Sequence, residues 1–331
     1  MQRIWPLPEI QLISLAEHKE VRPVAVVTTF PAWEIVKSQV AFEAKSVISI
    51  QSATQEHWDE LVGGVDGEVI YAIGGGLAAD AAKYLAVQRN LPLICIPTAL
   101  SVDAIFAWSS AIRVEGCVKY IETTIPQQLI VDFQLIAAAP PSIRAAGICD
   151  VLSIATGSWD WKFAEDKGKN PDGMRYIPYV DDIAQAILRG VIDCAESAGA
   201  GEERGLRQLL DCIALETQLL NQVGHARPEE GSEHYFAYAI ENWIGAGKPH
   251  AELVCPGTLI MAALQGQDIR PLKKAMRACH IRLNSIDPQI IRNTLQQLPK
   301  YCEKNKLPYG IAHELDETRL MSLDLEKILY D

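Results

Sequence analysis

The sequence predicts a chain in two parts: an α/β half built on a mainly parallel sheet, followed by an all-helical half. Three observations carry this. Between residues 23 and 132, short apolar runs alternate with stretches of helical spacing. After Pro140-Pro141 the patterned segments have the helical period and no convincing strand intervenes. Within the first half, one apolar run feeds three consecutive glycines, Gly74-Gly75-Gly76, and a helical pattern follows at once. Strands with helices first and helices alone afterwards imply two domains, drawn here as 1–138 and 139–331.

In order, 23–29 is a β-rich run followed by a helical stretch at 32–40, 46–50 a second strand and 55–61 a short helix. The strand 69–73 enters the glycines, the helix 77–89 leaves them, and 93–96 is a fourth strand stopped by Pro97. Near-continuous apolar strands alternating with helices indicate a sheet buried on both faces. The runs 111–114 and 118–121 around Glu115-Gly116 read as a hairpin, and 128–132 as a last strand. Helical spacing then covers 142–163, 181–198, 202–223, 233–244, 250–265, 271–282 and 287–299, with an exposed loop expected at 165–172.

The 331 residues, 49% of them hydrophobic, are enough to fill two cores. A net charge of −12, from 30 Lys+Arg against 42 Asp+Glu, argues against a general nucleic-acid binder. The longest apolar runs fall short of the roughly 20 residues that span a bilayer. The opening residues 1–8 lack a continuous apolar segment of the signal-peptide kind, so a cytoplasmic protein with no membrane span is expected. Eight scattered cysteines form no C-x-x-C pair and read as reduced, mostly buried thiols. No internal repeat or low-complexity tract is present.

Strand, glycine turn and helix in that order aim backbone N–H groups and a helix N-terminus at whatever sits above the turn, a geometry suited to a pyrophosphate. A tight βα turn with no ligand is the alternative. Just beyond the next strand, Pro97-Thr98-Ala99-Leu100-Ser101-Val102-Asp103 offers hydroxyls and a carboxylate to a phosphate, a ribose or a substrate hydroxyl; an ordinary capped loop reads equally well. In the helical half, Asp150 lies among small and apolar neighbours, while His234 and His250 each open a helix. One oxygen and two imidazoles on separate helices make a three-ligand metal site with an open position, as in catalytic zinc centres. A histidine at a helix start also serves as a cap or a core residue.

These residues resemble a known family. GGGxxxDxxK at 74–83, PTxxSxD at 97–103, AGxxDxL at 146–152, DW at 160–161, RPxxGSEH at 227–234 and HxE at 250–252 are similar, in order, to the glycerol-1-phosphate dehydrogenase branch of the iron-containing alcohol dehydrogenase and dehydroquinate synthase superfamily. The resemblance implies a dehydroquinate synthase-like fold: a Rossmann-like nucleotide-binding domain, a helical metal-binding domain and a site in the cleft between them. It makes Gly75 and Gly76, with the first helical turn Leu77, Ala78 and Ala79, the cradle of NAD or NADP, and adds Thr98 and Ser101 to that site. Asp103 matches a substrate-binding aspartate, and Asp150, His234 and His250 match the metal ligands. The alcohol dehydrogenases proper add a third histidine, but none occurs between 251 and 279, which favours zinc over iron for the one divalent metal. A homodimer or larger homo-oligomer is implied as well.

The departures concern the substrate shell. The family's SHD reads Ser101-Val102-Asp103, a common serine is Ala107, and a substrate-side histidine is Tyr238, one helical turn after His234. Small residues before GSEH are Glu229 and Glu230, and HGE has become His250-Ala251-Glu252. Two like charges about 4 Å apart cost on the order of 1 kcal/mol even in water, so the added carboxylates disfavour a phosphate if either faces the substrate. The expected chemistry is hydride transfer between NAD(P) and a polyol, a glycerol-phosphate-like compound or a small alcohol or carbonyl, with Asp103 and Tyr238 contacting substrate. Glu252 fits either a place behind a metal-bound imidazole or a solvated first turn. Where NAD enzymes often carry an acid after the first strand, Thr28-Thr29-Phe30 leaves NADP open. Two other readings stand beside this one. A dehydroquinate synthase-like cyclase would use the same cofactors, although such enzymes carry Glu at the position of Asp150. A family member could also have kept nucleotide and metal as a non-catalytic binding protein.

Overall fold

Strands β1 (Glu9–Leu12), β2 (Val24–Thr28), β3 (Ala44–Ser49), β4 (Val69–Gly74) and β5 (Leu93–Pro97) join a later strand, β8, in one parallel sheet. Between them in the chain, β6 (Ser109–Val114) and β7 (Cys117–Glu122) pair antiparallel as a separate hairpin, and β8 is Gln128–Val131. The six-stranded order is β1-β8-β5-β4-β2-β3. This computed structural model describes residues 4–245 and 247–330. Residues 1–3, part of the opening stretch read above for a signal peptide, lie outside the described residues.

The chain steps from β2 to β3 in one direction and from β4 through β5 to β8 in the other, so the strand order reverses between β2 and β4. Ligands of open parallel sheets bind beyond the strand ends at such a reversal. The register pairs Thr28 with Ile73 and Gly74 with Pro97, which brings the ends of β2, β4 and β5 level around the glycine turn. Alternate residues Val24 and Val26, Val69, Tyr71 and Ile73, Ile94 and Ile96, and Ile130 form one apolar face with Leu15, Val36 and Leu135. Their neighbours Ala25, Val27, Ile70, Ala72 and Cys95 are equally buried on the other face, as a two-sided sheet requires.

Helices α1 (Phe30–Val36), α2 (Gln55–Leu61), α3 (Gly76–Arg89) and α4 (Phe133–Ala137) complete unit 1, residues 1–140. Unit 2, residues 141–331, has no strand among the described residues. It runs through α5 (Pro141–Arg144), α6 (Ile148–Asp166), α7 (Pro178–Ala200), α8 (Glu203–Val223), α9 (Ser232–Ile244) and α10 (Ala251–Leu264). It closes with α11 (Arg270–Ala278), α12 (Pro288–Asn305), α13 (Glu317–Met321) and α14 (Leu325–Leu329). No helix among the described residues is long and apolar enough to cross a membrane. All eight cysteines are free and buried.

Several boundaries differ from expectation. The stretch 142–163 is two helices, because the chain turns at 145–147 before Gly147 opens α6. Helix α11 stops at Ala278, since His280 takes a left-handed φ of 57°. Helix α12 passes through Pro299 and ends at Asn305. Its buried Leu295, Leu298 and Cys302 lie along one face, and that packing outweighs the lost hydrogen bond.

Candidate functional site

In unit 1 the glycine turn needs glycine for two reasons. Gly74 has φ +139°, a conformation that side chains rarely adopt. A Cβ on Gly75 would lie 2.8 Å from Ser101 Oγ, and one on Gly76 would lie 2.6 Å from Val102 Cγ2. The loop after β5 is therefore packed onto the turn, and Thr98 N–H donates to Gly74 O at 3.3 Å. Gly75 is the N-cap of α3 and no side chain caps that end, so the first-turn N–H groups of Gly76, Leu77 and Ala78 need acceptors from elsewhere. Ala79 N–H is already bonded to Gly75 O at 3.1 Å, and Ala79 contributes position rather than a donor. An uncapped helix start at the sheet's reversal point, with Thr98 and Ser101 beside it, fits the diphosphate of a dinucleotide. Asp103 opens the short 3₁₀ turn Asp103–Ile105 on the same loop.

That loop has an anchor that the sequence did not reveal. Lys83, fully buried, pairs with Asp80 at 2.9 Å. Its ammonium donates to Ala104 O at 3.0 Å, to Ala107 O at 3.2 Å and to Ser109 O. The lysine of GGGxxxDxxK thus ties α3 to the segment that follows Asp103.

In unit 2 the structure brings Asp150, His234 and His250 together. His250 Nε2 is 3.2 Å from Asp150 Oδ1, His234 Nε2 is 4.0 Å from the same oxygen, and the two imidazole centroids are 5.5 Å apart. Close backbone approach places them. Gly157 lies seven residues after Asp150, on the same face of α6, and a Cβ there would lie 2.4 Å from Glu229 O. Gly257 lies seven residues after His250, and its Cβ would lie 2.7 Å from Glu233 O. Both helices therefore press a side-chain-free turn against segment 229–233, which carries the first histidine.

Glu233, fully buried, sets the ring of His234: its Oε1 is 3.0 Å from Nδ1 and also accepts the Gly231 N–H at 2.5 Å. With Nδ1 held, Nε2 is the nitrogen that faces Asp150. Burial alone pulls this imidazole down, but bonding to Glu233 and the charges of Glu233, Glu230 and Asp150 push it up to about 9. Burial works against the Asp150 carboxylate, yet His250 and His234 hold it below its usual value. The Cys149 thiol, pushed well up by burial, donates to Asp150 Oδ1 at 3.1 Å. Buried carboxylates around two imidazoles form a pocket that demands positive charge. One oxygen and two nitrogen donors on rigid helices fit a divalent transition metal.

Tyr238 is 4% exposed, its ring 6.0 Å from that of His234, and its hydroxyl donates to Glu230 Oε1 at 3.0 Å. Glu252, which the sequence left between two roles, is 1% exposed and pairs with Arg282 at 2.7 Å. Glu233 was missed because adjacent helical residues do not normally face each other. Its place at the first turn, where the ring folds back, makes the contact.

Asp160 of the DW motif was singled out only as a motif. Fully buried, it accepts from Ser232 N–H at 2.8 Å, Ser232 Oγ, Ile311 N–H at 2.8 Å and Gln265 Nε2 at 3.3 Å. It therefore pins the start of α9 two residues before His234.

Comparison with known proteins finds similar dehydrogenases. The family model for iron-containing alcohol dehydrogenase matches residues 11–140. The chain is 32% identical over 211 residues to the glycerol-1-phosphate dehydrogenase [NAD(P)+] of Methanothrix thermoacetophila, covering 63% of this chain and 58% of that one, under two thirds of its length. To the enzyme of that name from Pyrococcus furiosus it is 28% identical over 261 residues, covering 77% of this chain and 74% of the other. The crystal structure of a probable glycerol dehydrogenase from Sinorhizobium meliloti 1021 shares the fold, with TM-score 0.69 and 17% identity over 93% of this chain and 91% of that one. The chain is therefore similar to iron-containing alcohol dehydrogenases over residues 11–140, and to glycerol-1-phosphate dehydrogenases over the spans given above.

Proposed function

We propose that this protein is a metal-dependent NAD(P) oxidoreductase acting on a neutral polyol or its carbonyl counterpart. The observation that carries the reading is the meeting of Asp150, His234 and His250, with Glu233 fixing one ring. Asp150, His234 and His250 would hold one divalent metal, zinc by the three-ligand count. Gly75, Gly76, Leu77 and Ala78 with Thr98 and Ser101 would hold the dinucleotide. When bound, the nicotinamide takes or gives a hydride and the metal supplies Lewis acidity to the oxygen on the reacting carbon.

The protein's own groups then have definable tasks. Glu233 keeps Nδ1 of His234 occupied, so the histidine presents Nε2 in one orientation. Tyr238 Oη donates a hydrogen bond to Glu230, which holds the ring beside His234, where it would contact substrate. Asp103, by the family resemblance, would accept from a substrate hydroxyl. The substrate class follows from charge: Asp150, Glu229, Glu230 and Glu233 all lie around His234. A phosphate brought there meets repulsion that a neutral polyol avoids. The curated relatives are named for a phosphorylated substrate, so the carboxylates at Glu229 and Glu230 carry this difference.

The test is a substrate panel with NADH and NADPH, comparing dihydroxyacetone phosphate, dihydroxyacetone and simple aldehydes, beside metal analysis of the purified protein. Preferred reduction of an uncharged carbonyl, about one transition metal per chain and its loss in His250→Ala are expected. Preference for the phosphate ester overturns the substrate class. A cyclised product without net redox would assign a cyclase. Cofactor binding with no turnover across the panel would make it a binding protein.

A further inference from the structure

The metal reading above leaves a fourth position, and the chain places a carboxylate beside it. Glu229 is 6% exposed, and its Oε1 lies 3.6 Å from His234 Nε2, the nitrogen turned toward Asp150. Asp150, Glu229 and His234 each offer a ligand atom, all within 4.8 Å of one another. That spacing is close to what one shared ion needs, so a small inward movement of the side chains would bring each to an ordinary metal–ligand distance of about 2.0–2.2 Å.

The position is built rather than accidental. Glu229 and Glu230 N–H groups both donate to Ala226 O, at 2.9 and 2.7 Å, which closes a tight turn. The carbonyl of Glu229 rests on Gly157, where a Cβ would lie 2.4 Å away. Gly231, two residues on, leaves room for Gly157 Cα at 2.9 Å from where its own Cβ would stand. The backbone that carries Glu229 is thus clamped to the face of α6 that carries Asp150. Such packing allows little drift.

We propose that Glu229 is a fourth protein ligand, making the centre a two-carboxylate, two-imidazole site. This rests on the metal reading of Asp150, His234 and His250. Two carboxylates would neutralise a divalent ion, and with the two imidazoles they would give it four protein donors. Substrate would then reach the ion only if Glu229 swung aside or the ion took a fifth donor. A substrate oxygen must compete with a tethered carboxylate, which favours substrates that chelate through two adjacent oxygens over simple monoalcohols.

The experiment uses the full chain, stripped of metal and reloaded with Co²⁺ or Zn²⁺. Zn²⁺ affinity is measured by competition with a chromophoric chelator, and Co²⁺ coordination by the intensity and position of its visible bands. Thermal midpoints of the metal-free forms check folding. Glu229→Gln and Glu229→Ala should each weaken Zn²⁺ binding at least tenfold and alter the Co²⁺ spectrum, with metal-free midpoints near that of the parent. Unchanged affinity and spectrum in both variants, with metal still lost in His250→Ala, overturns the fourth ligand and leaves the three-ligand site standing. Weaker affinity with an unchanged spectrum also overturns it, since Glu229 would then act through charge alone. Failure of the parent protein to bind either ion removes both readings.

Discussion

Glu233 and His234 are neighbours in sequence and partners in space, with the carboxylate oxygen 3.0 Å from the ring Nδ1. The contact leaves Nε2 as the only ring nitrogen available to a metal. Removing the carboxylate frees the ring to turn and lowers its basicity. Glu233→Ala should weaken metal affinity ten- to a hundredfold, with Glu233→Gln intermediate, as measured by chelator competition. Parent-like affinity in both variants would show that the pair does not serve a metal.

The glycine turn gives a second prediction. Gly75→Asp puts a Cβ into Ser101 Oγ and a negative charge at the uncapped start of α3. Dinucleotide affinity should fall more than tenfold, read by fluorescence titration with NADH and NADPH. Ser101 can rotate to relieve the contact, so the thermal midpoint should move by only a few degrees.

Lys83 concerns stability. Lys83→Met would leave Asp80 buried without its ammonium and three backbone carbonyls without a donor. Breaking a buried pair from one side costs roughly 3–5 kcal/mol, visible in the denaturant midpoint. Adding Asp80→Asn should restore part of that loss, because the uncompensated charge goes with it.

Glu20 supplies the pH dependence. Its carboxylate binds Arg22 through Nε at 2.9 Å and Nη2 at 2.6 Å and accepts the Tyr71 hydroxyl at 2.9 Å. The bond to Arg22 foremost, against an opposing burial effect and with help from Tyr71, holds it down to about 2 from the ordinary 4.5. Because the folded value is depressed, the stabilisation is present above about 4.5 and is lost as pH falls through about 2. Glu20→Gln should cost roughly 1–2 kcal/mol near neutral pH, after allowing for solvent around Arg22, with the cost falling to a small remainder by about pH 2. Denaturant unfolding across that range measures the convergence.

The sheet was legible where its strands are apolar through both faces, as at β2, β4, β5 and β8. The edge strand β1 was not, because Ile10 and Leu12 alternate with polar residues in a short stretch after Pro6 and Pro8, and only its pairing with β8 makes it a strand. The positions of Asp150, His234 and His250 could be named from motifs, but their meeting depends on Gly157 and Gly257, whose spacing signals nothing until the opposing backbone is known. Glu229 was visible only as a departure from the family pattern. Its approach to His234 is a property of the folded turn.

Asp160 joins Ser232 to Ile311, and the second of these bonds closes 151 residues of chain. The histidine-bearing end of α9 therefore receives an anchor from a segment synthesised 151 residues after Asp160. Contacts of such separation form late, after local helices and nearby pairs. The order of events in the cell follows: the α/β half can complete its sheet while the helical half is still being made. The packing around Asp160 and Ser232 is complete only once residues near 311 have docked. A chain stalled before that point would carry Asp150, His234 and His250 and still lack the anchor that Ile311 gives Asp160.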